Sequence, residues 1–110
     1  NLNKSPAAQA AFLHYFTPDK FDIIAIQEPY IDFLRNTRAS SHWTTVYPSN
    51  HIGSSGNHRS GTQTTRSLIL VNSRLRSLSW NPIPTDCSDL TGIQITLHSG
   101  KVILFNIYND

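Results

Sequence analysis

Glu28, Asn1, Asn3 and Tyr108 are the residues whose types and positions in the chain can do chemistry. Glu28 ends the run Ile23, Ile24, Ala25, Ile26, Gln27 and is followed directly by Pro29. Four apolar residues in a row read as a strand buried on both faces. A carboxylate at the carboxyl end of such a strand is well placed to hold a metal or act as a general base, because ligands bind at that end of α/β sheets. Its ordinary reading is a solvated acid in a loop. Asn1 and Asn3 stand just before a helix start, where they could face Glu28 across neighbouring strands. Asn is also simply common in such turns. Tyr108 closes another apolar run. Its hydroxyl can donate to a phosphate, or it can be the wet tip of a half-buried ring. Arg59, Arg66 and His58 give a long polar loop a basic character, which suits phosphate contact and equally a solvated surface.

Other groups carry less. Asp86 and Asp89 lie near Pro82 and Pro84 and read as turn formers. The five histidines show no close metal-ligand spacing. Cys87 has no base near it in sequence. Gly53, Gly56 and Gly61 are not followed by the Lys-Ser or Lys-Thr of a phosphate loop.

The elements that must position these residues are legible in outline. Ser5-Pro6 is a helix start, with Ser as N-cap and Pro at the first helical position. Ala8, Ala11, Phe12, Tyr15 and Phe16 form its apolar stripe, and Thr17-Pro18 stops it. A helix feeding the apolar strand 22–27 implies a βαβ-type unit with a parallel sheet, whose first strand would lie before Asn1. A short helical turn is expected over 31–36 and a strand over 42–47. The stretch "SNHIGSSGNHRSGTQTT" reads as a long surface loop, a kind usually functional or disordered. Strands are expected over 66–72, 77–80, 90–98 and 101–108, with Ser99-Gly100 turning the last pair. The class is α/β or α+β, with strands dominating the second half.

The 110 residues suffice for one domain. With 38% hydrophobic and 15% charged residues the composition is that of a globular protein, and no run approaches the ~18 apolar residues of a membrane span. A net charge of +2 permits a polyanionic partner without demanding one. One cysteine excludes an internal disulfide. The chain starts with Asn and contains no Met, which is expected of a piece of something larger.

An Asn ending a first strand, then "IIAIQEPY", "RSLILVNS" and "ILFNIYND" in that order, resemble the endonuclease/exonuclease/phosphatase superfamily. Within it, the "NLNKS" opening and the "QEPYI" and "FNIYND" segments are most similar to the apurinic-type endonuclease domain of non-LTR retrotransposons. The resemblance runs over essentially the whole chain. It implies a four-layer β-sandwich flanked by helices, of which this chain would be the N-terminal half, lacking the first strand. It implies hydrolysis of a DNA phosphodiester with Mg²⁺, or Mn²⁺ in its place, in an intracellular, nuclear protein fused to a reverse transcriptase. By the same resemblance Glu28 binds the metal, Asn1 helps to bind the metal or the phosphate, Tyr108 lies near the scissile phosphate, and Asn3, a further metal residue, stands where an aspartate is frequent. The family's GD-x-N segment and late Asp-His pair, which supply proton transfer, are absent from these 110 residues. Little or no nicking by this chain alone is therefore expected. The alternatives are a non-catalytic nucleic-acid-binding module and a superfamily phosphatase or phosphodiesterase acting on another phosphoester.

Overall fold

The computed structural model describes residues 1–51, 64–75 and 79–109. It is an α+β fold of one helix and two antiparallel three-stranded sheets among the described residues. The helix α1 spans Pro6–Tyr15. Ser5 caps it, its hydroxyl accepting from the Ala8 amide at 3.1 Å. The first sheet holds β1 (Ile23–Gln27), β2 (Trp43–Val46) and β3 (Ser67–Asn72) in the order β1-β3-β2. The second holds β4 (Trp80–Ile83), β5 (Leu90–Leu97) and β6 (Gly100–Ile107) in chain order.

Side chains alternate along β3, and both of its faces are covered. Leu68 and Leu70 pack with Ile24, Ile26 and Trp43 against Phe12 and Leu13 of α1. Ile69 and Val71 pack with Val46 against Ile93, Ile95 and Leu104 of the second sheet. The layers are thus helix, sheet, sheet. All six residues of β3 are buried, and each large aliphatic contributes about 1.5–3 kcal/mol.

Several sequence expectations change here. Strand pairing is antiparallel throughout the described residues, not the parallel βαβ arrangement. The continuous apolar runs arise because an antiparallel sheet is sandwiched between a helix and a second sheet. Burial on both faces belongs to the central β3; β1 is an edge strand with Ala25 exposed. The helix packs through Gln9, Phe12 and Leu13, leaving Tyr15 76% exposed. Residues 31–37 form a tight turn closed by an isolated bridge between Ile31 and Thr37, not a helix. Asn81-Pro82 lies inside β4, which tolerates proline because it is an edge strand. The last hairpin turns at His98-Ser99, since Leu97 pairs with Gly100.

Glycine at 92 is required by close approach: a Cβ there would lie 2.7 Å from Phe105 Cε1. The ring covers that gap on the outer face of the second sheet, where Ile103, Phe105 and Ile107 are exposed, as expected of an uncovered sheet face. No helix among the described residues is long and apolar enough to cross a membrane.

The two sheets are joined by polar contacts as well as packing. Asn106 is buried on β6, and its amide donates to the carbonyls of Ile26 on β1 and Leu68 on β3, both at 2.9 Å. The Ser67 hydroxyl lies 2.8 Å from the Asn106 carbonyl and 2.8 Å from the Thr91 hydroxyl. The Gln27 amide donates to the Ile107 carbonyl at 2.8 Å. Asn106→Ala removes two hydrogen bonds to carbonyls that keep their β1–β3 ladder partners and leaves a cavity, so it should lower unfolding free energy by about 1–3 kcal/mol in urea titrations. A loss under ~0.5 kcal/mol would show that packing alone holds the sheets together.

Candidate functional site

The junction made by Asn106 brings three chain segments to one corner. Glu28 extends the β1–β3 ladder by one residue, its amide donating to the Arg66 carbonyl at 2.9 Å. The backbone then enters the left-handed region, with φ of 50° at Glu28. This turns the chain away from the sheet before Pro29, which is fully buried. The N-terminal segment lies alongside, Leu2 donating to the Gln27 carbonyl at 2.9 Å and Lys4 to that of Glu28 at 2.8 Å. Asn3 and Lys4 are left-handed too, with φ of 52° and 58°. The Asn1 side-chain oxygen accepts from the Asn3 amide at 2.8 Å, an Asx turn that helps to hold them. Left-handed backbone costs a non-glycine residue about 1–2 kcal/mol, and such strain collects where a fold fixes a group for use.

Tyr108 meets this corner from the second sheet. Its hydroxyl donates to Glu28 Oε1 at 3.0 Å, across 80 residues of sequence. Its backbone amide donates to the Asp89 carbonyl at 2.8 Å. The Arg66 guanidinium sits over the Tyr108 ring, 5.2 Å from its centre. Asp89 clamps that guanidinium with both carboxylate oxygens, at 2.6 and 2.9 Å. The order of contact is therefore Asp89, Arg66, Tyr108, Glu28. A cleft of about 340 Å³ opens beside it, lined by Lys4, Thr64, Arg66, Cys87, Ser88 and Asp89.

Glu28 and Tyr108, expected together, are in direct contact. Asn1 and Asn3 are exposed and reach the site through the backbone of their segment. Arg66, expected both as a cation of the long loop and as the first residue of the strand over 66–72, stands immediately before β3 with its charge matched by Asp89. Asp89 is more than a turn former, because it holds the guanidinium that stacks on Tyr108. His58 and Arg59 lie outside the described residues. No group of three or more His, Cys, Asp or Glu side chains that could hold a metal occurs among the described residues. No family model, curated protein or solved structure matches this chain.

Sequence reasoning missed Asn106, Asp89 and Gln9. Asn106 left a trace: strand alternation puts it on the inward face with Leu104, the one polar residue in "VILFNI". Buried Gln9 binds Thr37 Oγ1 and the Arg38 carbonyl at 2.8 Å and accepts from the Tyr30 amide at 2.9 Å. It fixes the chain just beyond Glu28 to the helix. His51 was also overlooked. Its ring stacks on Tyr47 at 3.9 Å, with Nε2 2.7 Å from the Arg35 carbonyl and Nδ1 2.5 Å from Thr65 Oγ1. A nitrogen facing a carbonyl carries a proton, so Nε2 donates to the Arg35 carbonyl.

Two expectations follow. Glu28→Gly should be more stable than Glu28→Ala by about 1 kcal/mol, because glycine takes the left-handed corner without strain. Equal denaturation midpoints would show that the corner is relaxed. Burial holds the His51 imidazole below its usual 6.5, the hydrogen bond to Arg35 opposing only in part. As pH falls below about 6.5 the unfolded chain takes up this proton first, so stability drops until the lowered native value is passed. His51→Gln should flatten that part of the stability–pH curve relative to the parent; parallel curves would contradict it.

Proposed function

We propose that this chain carries the glutamate–tyrosine part of a Mg²⁺-dependent phosphodiesterase site of the endonuclease/exonuclease/phosphatase type, acting on DNA as in non-LTR retrotransposon endonucleases. The observation that carries this reading is the 3.0 Å hydrogen bond from Tyr108 to Glu28, made beside the Asn1–Lys4 segment. The α+β arrangement with two facing sheets is compatible with that superfamily's sandwich.

The residues present fit a magnesium ion of the sparsely held kind. Mg²⁺ uses one or two carboxylates and completes its shell with waters and phosphate oxygens. Tyr108 engages one Glu28 oxygen and leaves the second carboxylate oxygen for a cation. The Asn1 amide oxygen keeps a lone pair beyond the one given to Asn3. Such an ion, when bound, polarises a phosphoryl oxygen and offsets charge on the leaving oxygen. The chain's own residues orient. Tyr108 fixes the carboxylate, and its hydroxyl can turn toward a phosphate oxygen. Arg66 and Asp89 fix Tyr108. Lys4, at the rim of the cleft, supplies positive charge for a neighbouring phosphate. Proton transfer belongs, by the resemblance, to segments not among these residues.

A second reading draws on that cleft: a non-catalytic nucleic-acid-binding module that uses Lys4 and Arg66. Titration of Mn²⁺ followed by electron paramagnetic resonance separates the two. Weak binding that drops about tenfold or more in Glu28→Gln supports the metal-site reading. Binding indifferent to Glu28, together with salt-sensitive DNA affinity, supports the binding module. Supercoiled plasmid should remain intact with the parent chain and Mg²⁺. A nick that disappears in Glu28→Gln would mean that these residues suffice for catalysis.

A further inference from the structure

Three chain segments meet on one imidazole. His51 lies against the turn at 31–37, against Tyr47 just past β2 and against Thr65 at the entry to β3. Its Nε2 is 2.7 Å from the Arg35 carbonyl, its Nδ1 is 2.5 Å from Thr65 Oγ1, and the ring stacks on Tyr47 with 5° between the planes. The Tyr47 hydroxyl in turn accepts from the Thr37 amide at 2.9 Å. The tip held in this way is the strained part of the turn, since Arg35 is left-handed with φ of 67°. On the other side Thr65 directly precedes Arg66, whose carbonyl takes the Glu28 amide and whose guanidinium covers the Tyr108 ring.

Whether these contacts hold depends on one proton. The Arg35 carbonyl is only an acceptor, so Nε2 carries a hydrogen in either charge state. In the neutral ring Nδ1 is a bare acceptor, and the Thr65 hydroxyl donates to it. In the imidazolium Nδ1 is a donor as well, so the Thr65 hydroxyl must accept and turn its own hydrogen elsewhere. Thr65 is 1% exposed, and its hydroxyl has no partner besides His51 among the described residues. A buried hydrogen without an acceptor is costly. The surroundings of the ring act in the same direction. Burial opposes a charge on it and the Arg35 guanidinium repels one, while the Arg35 carbonyl and the face of Tyr47 favour one in part. Asp32, the acid of the turn, is engaged by the Leu34 and Asn36 amides, and Arg66 beyond Thr65 is paired with Asp89. The balance holds the imidazole below its ordinary range.

We propose that His51 is a proton-operated latch: neutral, it pins the tip of the 31–37 turn to the entry of β3; protonated, it swings out to solvent and releases both. Outside, the imidazolium is hydrated and the Thr65 hydroxyl bonds water. The Arg35 carbonyl loses its donor, the Tyr47 ring loses its cover, and the left-handed tip is free to relax. Gln9 still holds Tyr30 and Thr37, so the base of the turn stays on the helix. Acid thus loosens two neighbours of the Glu28–Tyr108 corner together, the segment that follows Glu28 and the residue that precedes Arg66. The latch does not depend on what that corner binds.

Amide exchange of the whole chain, followed by NMR across about pH 5 to 7.5 and corrected for the intrinsic exchange rate, tests the latch. At the upper end the ring-nitrogen signals of His51 should show a hydrogen on Nε2 and none on Nδ1. The open form binds the proton more tightly than the closed one. As pH falls below about 6.5, protection of the Thr37 amide should therefore drop about tenfold per pH unit until the lowered native value is passed. Ile93, in the middle of β5, should keep the greater protection, because the sheets stay folded. His51→Gln, which can bond to the Arg35 carbonyl but takes up no proton, should hold Thr37 at constant protection. A parent chain whose Thr37 protection does not change, or changes equally in His51→Gln, overturns the latch. Equal protection at Thr37 and Ile93 at every pH also overturns it, since only global unfolding would then free the turn. So does a His51 ring that carries both hydrogens at about pH 7.5. Should His51→Gln fail to fold, the ring signals and the two amides of the parent decide alone.

Discussion

The amide of Asn106 is the constraint on which the candidate site depends. It donates to carbonyls of both β1 and β3, and so fixes β6 of the second sheet against the first. Two residues beyond Asn106 is Tyr108, and two residues beyond Ile26 is Glu28. Apolar packing between sheets is non-directional and would tolerate a sliding of one sheet over the other. A buried amide with two fixed acceptors does not, because any slip leaves polar groups unpaired in a dry interior. The register of the sheets, and with it the meeting of hydroxyl and carboxylate, is set by hydrogen bonds.

Around that junction the fold accepts strain and buries polarity. Asn3, Lys4 and Glu28 are all left-handed. Ser67, Thr91 and Asn106 are buried next to Ile93 and Leu68. A chain selected for stability alone would put glycine in the corner and aliphatics in the interface. Both departures have one geometric result: the Glu28 carboxylate leaves the sheet at a fixed angle, with Tyr108 and its Arg66–Asp89 support on one side and Asn1–Lys4 on the other. Rigidity of this kind suits electrostatic work, since oriented groups need no reorganisation when charge develops nearby.

The segment after the site follows the same logic. Gln9 ties residues 30 and 37 to the helix, while Tyr47 and His51 tie the turn to the loop beyond β2. Burial raises the Tyr47 phenol above its ordinary range, with the Thr37 amide opposing in part, and lowers the His51 imidazole. The two rings stack on one another, 3.9 Å apart.

The sequence by itself determined most of the elements and marked Glu28 and Tyr108 as candidates. Periodicity and punctuation located the helix, the apolar strands and the closing hairpin, because these depend on residues near one another in the chain. Glu28 and Tyr108 were legible because each ends an apolar run. Pairing was not: the same Leu-Ile-Leu-Val run serves a parallel or an antiparallel sheet, and only the layers on either side decide that both faces are dry. The turn at 31–37 and the burial of Gln9 likewise depended on partners 10 to 29 residues away. Asp89 read as a turn former because its role exists only where Arg66 and Tyr108 come beside it. Local sequence fixes which backbone shapes are cheap; tertiary structure decided which polar groups lose water and must therefore find each other.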